Sequence, residues 1–144
     1  MIYAHQHGNW IASLNNTITA LSTELHGRAN LGEGALDNMT YEASLNIIVN
    51  PCCLKKEFAL IDREIRNIFT EIGIDPTSDV PISEQEPKPL PDRKALDDIV
   101  FDALGLTEEE RKEVYRAVAQ LVWERISKAK SVQKRHRRAQ TKKR

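Results

Sequence analysis

Apolar residues near the start of the chain recur at steps of three and four, which is typical of one helix face. These residues are Trp10, Leu14, Ile18, Leu21 and Leu25. Asn9 could cap this predicted helix, and Gly27 could end it in a left-handed turn. Its opposite face carries Ser, Asn and Thr, which are mediocre helix formers, so packing must stabilise the helix.

A loop and a short strand are predicted next. Residues 28–36 hold two glycines and an asparagine, which is typical of a loop or tight turn. Residues 41–49 end in an apolar run that predicts a short strand or extended segment, which stops at Asn50-Pro51. That run contains Leu45, Ile47, Ile48 and Val49.

The apolar residues of 54–72 follow a 4-3-4-3-4 spacing, which predicts a central amphipathic helix ending at Gly73. They are Leu54, Phe58, Ile61, Ile65, Ile68 and Ile72. About three heptads is the lower limit for predicting a coiled coil. We therefore expect this stripe to pack inside its own chain, with a coiled-coil partner as the alternative.

The prolines mark a boundary before the last helices. Residues 75–91 hold five of the six prolines and four acidic residues, which predicts an extended, poorly packed linker. Beyond it, two amphipathic helices joined at Gly105 predict a helical hairpin. Asp92 is predicted to cap the first helix, and Thr107 and Glu110 to form a capping box on the second.

These patterns predict a mostly α chain with four parts. The first part, residues 1–74, is a helix, a loop and a short strand followed by the central helix. The proline-rich linker of 75–91 leads to the hairpin of 92–131. The last part, residues 132–144, is expected to be a basic, disordered tail.

Charge is distributed unevenly along the chain, although the formal net charge is zero. Nine of the 21 Lys/Arg lie in residues 128–144, which contain no Asp or Glu. The remaining 127 residues therefore hold 12 Lys/Arg against 21 Asp/Glu. We call residues 1–127 the acidic body and 128–144 the basic segment, because their charges predict different partners.

The sequence predicts a cytoplasmic protein without membrane contacts or a reaction centre. No apolar run is long enough for a signal peptide or a membrane span. Cys52 and Cys53 are adjacent, which favours two reduced thiols over a disulfide or a zinc site. His5-x-His7 is a weak metal signal on its own, and no HExxH or Gly-x-Ser-x-Gly pattern is present.

Several segments resemble the C-terminal part of N6-adenine DNA methyltransferases of restriction-modification systems. In that family the end of a target-recognition region runs into a helical tail. The similar segments are Leu14-Asn15-Asn16-Thr17, Gly27-Arg28 with Asn30 to Leu36, Ile48-Val49-Asn50-Pro51, and Asp92 to Tyr115. Together they span somewhat over half of the chain.

The parts of that family that carry out methylation have no counterpart here. Its Asn/Asp-Pro-Pro-aromatic motif holds and stacks the flipped adenine, whereas this sequence has only Asn50-Pro51-Cys52-Cys53 at the similar place. Gly32-Glu33-Gly34 follows a predicted helix, not the strand that a cofactor loop needs. The resemblance thus implies a non-catalytic fragment, a split subunit or a decayed copy. S-adenosylmethionine belongs to the parent family, and we expect this chain to bind no cofactor.

Two groups of residues are candidate contacts to duplex DNA. In the loop, Arg28 could bind a phosphate or guanine, Asn30 an adenine edge, and Gly32 and Gly34 would allow close backbone approach. A structural turn, with Arg28 paired to an acid such as Glu24 or Glu33, is the alternative. The second group lies in the tail, where cationic side chains neutralise phosphates without sequence preference. It comprises Lys134, Arg135, Arg137 and Arg138.

The alternatives concern what the basic tail and the apolar stripes contact. The tail could instead solubilise the chain or contact the acidic body. The whole chain could be a standalone DNA-binding module or a helical protein-interaction subunit. As a split subunit, it would have a separately encoded catalytic methyltransferase portion as its partner.

Overall fold

The computed structural model describes residues 2–29, 35–56 and 63–141. The chain is mostly helical, which confirms the predicted fold class. Its α-helices are α1 (Ile2–Asn15), α2 (Thr17–His26), α3 (Thr40–Ser44), α4 (Ile68–Ile72), α5 (Pro91–Leu104) and α6 (Glu108–Thr141). Two short 3-10 helices span Pro51–Cys53 and Ile82–Glu84.

A two-stranded antiparallel ladder lies in the predicted loop. Its strands are β1 (Arg28–Ala29) and β2 (Leu36–Asp37), with Arg28 opposite Asp37 and Ala29 opposite Leu36. No strand forms in the stretch that was predicted to be a short strand or extended segment ending at Asn50-Pro51. Residues 40–44 form α3 instead, and the following residues to Asn50 are irregular.

The single helix predicted near the N-terminus is in fact two helices, broken at Asn16. The Asn16 amide group donates to the carbonyl of Ala12 at 2.7 Å, and its oxygen accepts from the Thr19 amide at 3.0 Å. One side chain therefore ends α1 and caps α2, as asparagine does where it competes with the backbone. Gly27 follows α2 with extended rather than left-handed backbone angles.

The predicted central helix is reduced to α4 within the described residues. The described flanking residues 54–56 and 63–67 are not helical, and residues 57–62 lie outside the described part of the chain. The backbone amide of Arg66 donates to the Glu71 carboxylate at 3.0 Å. This amide therefore bonds to a side chain and not to the backbone carbonyl that a helix would offer. The predicted helix end at Gly73 is confirmed, and Gly73 adopts a left-handed conformation at φ 65°.

Most of residues 75–91 are exposed, as predicted for a poorly packed stretch, but two parts of it contact the rest of the fold. Ile82 is buried in the core beside Ile72. The backbone amide of Lys88 donates to the Ile72 carbonyl at 3.0 Å, and that of Leu90 donates to the Glu71 carbonyl at 2.9 Å. The backbone of residues 88–90 therefore packs against the end of α4.

The turn between α5 and α6 is as predicted. The start of α5 and the end of α6 differ from the prediction. Gly105 adopts φ 70°, and Thr107 and Glu110 form the capping box, with the Thr107 amide 2.8 Å from Glu110 Oε2. Leu90 occupies the cap of α5, which places Asp92 in its first turn. The expected disordered tail is wrong, because α6 continues to Thr141. The tail has no Gly or Pro, and Lys, Arg, Gln and Ala are good helix formers.

The core joins the N-terminal and C-terminal helices. Phe101 on α5 and Tyr115 on α6 meet edge to face, with ring centroids 5.6 Å apart. Ile18 of α2 packs both on this cluster and on a second one, which α5 forms with Ala12, Val49 and Leu54. Residues on both sides of the proline-rich stretch therefore share buried contacts.

The two left-handed glycines provide a matched test of packing at the end of α4. We expect Gly105→Ala to cost about 1–2 kcal/mol, because its added methyl group would meet open space and only the backbone angle is unfavourable. Gly73→Ala should cost at least about 2 kcal/mol more, because its Cβ would overlap the Lys88 backbone. Urea unfolding followed by circular dichroism measures both losses. Equal losses would contradict the close packing of residues 85–90 against α4.

Candidate nucleic-acid interface

α2 and α6 run in the same direction along one another. Ala20 shares a cleft with Val118, and further along both helices Glu24 pairs with Arg125. The Arg125 guanidinium donates to both Glu24 oxygens, at 2.9 and 2.7 Å. The chain leaving α2 therefore emerges beside the part of α6 that follows Arg125, where the basic segment begins.

Arg28 lies at this end of the molecule and has a structural partner. Its guanidinium is ion-paired with the carboxylate of Glu42 on α3. The Arg28 side chain is 69% exposed, whereas that of Glu42 is only 5% exposed. This arrangement favours a structural role for Arg28, with Glu42 as the partner instead of Glu24. Asn30, Gly32, Glu33 and Gly34 lie outside the described residues.

The basic segment forms the C-terminal end of α6, which continues to Thr141. The last acidic residue of α6 is Glu124, and from there to Thr141 the helix rises about 25 Å. The predicted contact positions Lys134, Arg135, Arg137 and Arg138 all lie on this helical backbone. Together with Lys130, Lys134 and Arg137 follow the three- and four-residue spacing of one helix face. The helix thus places Lys130, Lys134 and Arg137 in a row along one face.

Charged groups of the acidic body are neutralised locally. The buried Glu71 carboxylate accepts two hydrogen bonds from the Arg63 guanidinium, each 2.7 Å long, and Arg63 also pairs with Asp92. Hydrogen bonds from Arg63 lower the pKa of Glu71 below its usual range, and burial opposes that shift. The same guanidinium lowers the pKa of Asp92. This cluster holds α4 against α5, and its role is structural.

A cleft of about 400 Å³ lies between α2, α4 and α6. Ile68, Val118 and Val122 supply apolar walls, and the Glu24–Arg125 pair lies at one end. Within the described ranges, no cluster of His, Cys, Asp or Glu is arranged to hold a metal ion. The cleft therefore offers apolar contact, one ion pair and the polar side chains of Asn15, Asn16, Thr19 and Thr23.

Comparison with known proteins gives this chain no family. No family model, curated protein or solved structure matches it. Among the helices of residues 2–29, 35–56 and 63–141, none is long and apolar enough to cross a membrane. The function must therefore be inferred from the chain's own residues.

Sequence reasoning found the basic residues but missed the buried acid that pairs with Arg28. Glu42 is fourteen positions from Arg28, and only the β1–β2 ladder and α3 bring them together. An acidic residue within an apolar stretch was the available signal. It indicates a charge that is exposed or paired, but it does not identify the partner.

Replacing Arg28 tests its structural role. Arg28→Ala should lower the free energy of unfolding by about 1–3 kcal/mol, because it leaves the nearly buried Glu42 carboxylate without its ion-pair partner. Combining it with Glu42→Gln should recover part of the loss. Urea unfolding measures both effects. Unchanged stability together with weakened DNA binding would show instead that Arg28 contacts DNA.

Proposed function

We propose that this chain is the non-catalytic, C-terminal DNA-recognition and helical portion of an adenine-specific DNA methyltransferase from a restriction-modification or related defence system. In this proposal the chain binds duplex DNA. A separately encoded catalytic portion binds S-adenosylmethionine and methylates adenine. The sequence resemblance supports the lineage, and the basic half of α6 supports the contact with DNA.

The distribution of charge along α6 is the observation that carries the DNA-binding proposal. The helix begins with Glu108, Glu109 and Glu110, and these acids suit its positive end. After Glu124 it carries only basic charges. A row of cations on a helix matches the phosphates of a nucleic-acid backbone, and binding is favoured because counterions are released.

The helical backbone also bears on the alternative that the tail contacts its own body. Because α6 is one continuous helix to Thr141, its backbone does not turn back on itself. No aromatic residue lies between Lys128 and Arg144, so stacking on single-stranded bases is not available. Phosphate contacts with a duplex suit this surface better.

A standalone DNA-binding module is the alternative that shares the same surface. It requires no catalytic partner, and it predicts salt-dependent binding to unrelated duplexes. The two proposals differ in lineage. A neighbouring reading frame that encodes the cofactor loop and the Asn-Pro-Pro-aromatic motif would favour the methyltransferase subunit.

Neutralising residues of the basic segment tests DNA binding. A variant with Lys128, Lys130, Lys134, Arg135, Arg137 and Arg138 all changed to Gln keeps good helix formers but loses six charges. We expect at least a tenfold loss of affinity for a labelled duplex, measured by fluorescence anisotropy. The slope of log affinity against log salt should also fall, by about 0.9 for each phosphate that the variant no longer neutralises.

The control is a Lys55→Gln/Lys88→Gln variant, which removes two exposed cations of the acidic body. Its affinity and salt slope should stay close to those of the unaltered chain. Equal binding by the α6 variant and the unaltered chain, with helicity intact by circular dichroism, would contradict the proposal.

A further inference from the structure

The stretch from Asn38 to Leu54 is almost free of charge. Its one charged residue is Glu42, whereas charged residues make up 29% of the whole chain. The Glu42 side chain is buried and ion-paired with Arg28, so it presents little charge to solvent. Depletion of charge with enrichment of Tyr and Met is the composition of the core of a protein interface.

Large apolar side chains of this stretch are exposed beside one turn of α2. Tyr41 and Leu45 are four residues apart, and both are exposed. The backbone amide of Ile47 donates to the Ser22 hydroxyl at 2.8 Å, which holds the stretch against α2 three residues before the exposed Leu25. We call this surface the apolar patch. It comprises Leu25, Met39, Tyr41, Leu45, Ile47 and Ile48.

The area of the apolar patch suits one side of a dimer interface. At 43–69% exposure each, and roughly 200 Å² for a large side chain, its six residues expose about 700 Å² together. A standard interface buries about 800 Å² on each partner. The largest apolar patch on a typical monomer is about 300–600 Å². The sum over these six residues is of the same order, and a patch of that size often marks an interaction site.

We propose that the apolar patch pairs two copies of this chain about a two-fold axis. In such an interface each surface meets its own copy, so any net charge on the surface would face a like charge. The acidic body carries an excess of nine negative charges and would repel a second body over most of its surface. The apolar patch presents little charge, so two bodies can meet there without that repulsion.

The dimer does not depend on the DNA-binding proposal, but it affects it. The patch spans the end of α2, Tyr41 of α3 and residues that flank α3, near the part of α6 that follows Arg125. Pairing two copies there joins two basic helices in one particle. Two linked arms bind one duplex more tightly than a single arm when both can reach it.

Sedimentation equilibrium of the full chain, without DNA, tests the dimer. Over a concentration series into the hundreds of micromolar, we expect a monomer–dimer equilibrium. Ile47→Asp and Tyr41→Asp each place two charges in the interface, one from each copy, so each should raise the dimer dissociation constant at least tenfold. Ile65→Asp is the matched control, because Ile65 is 81% exposed outside the patch, and its dimer should be unaffected.

Circular dichroism keeps the test interpretable, since at least one patch variant must retain the unaltered helicity. A chain that stays monomeric throughout the series would overturn the proposal. So would a dimer that survives both patch variants, or one that Ile65→Asp disrupts equally. Dimerisation that requires an added methyltransferase catalytic portion would also overturn it, and would identify a different protein as the occupant. None of these results depends on the salt-dependent binding of DNA by α6.

Discussion

A buried carboxylate on α5 joins the N-terminal helices to the C-terminal ones. Asp97 is fully buried, and its two oxygens accept from the amide and hydroxyl of Thr17, at 2.7 and 2.6 Å. Burial raises the pKa of Asp97, while the hydrogen bonds from Thr17 and the charge of Arg93 oppose that shift. A buried acid is costly unless it is satisfied in this way, so its partners must stay in place.

The position of α2 depends on this contact. Thr17 is the first residue of α2, immediately after the break at Asn16, so Asp97 holds the corner between α1 and α2. From that corner α2 follows α6 to the Glu24–Arg125 pair. This alignment brings the apolar patch near the part of α6 that follows Arg125. The placement of the apolar patch near the basic part of α6 thus depends on the Asp97–Thr17 contact.

The features that the sequence predicted correctly are those set by neighbouring residues. Gly73 and Gly105 end helices because a left-handed residue there needs no distant partner, and the Thr107–Glu110 capping box lies within one helical turn. The errors arose where distant partners compete with local preference. Apolar spacing alone predicted a central helix that is too long. The hydrogen bond from the Arg66 backbone amide to the Glu71 carboxylate is not visible in a periodic pattern. Among the candidate DNA contacts, the basic residues were evident from charge, but their helical arrangement was not.

The central claim is that residues on both sides of the proline-rich stretch fold as one unit through Asp97. Trp10 on α1 and Trp123 on α6 report on the two sides separately, in single-tryptophan variants made by Trp123→Phe and Trp10→Phe. Urea unfolding monitored by fluorescence should give one shared midpoint. Asp97→Ala should lower both midpoints together, by more than Asp98→Ala at the partly exposed neighbouring position. Two separate midpoints, or a shift confined to one tryptophan, would contradict the account.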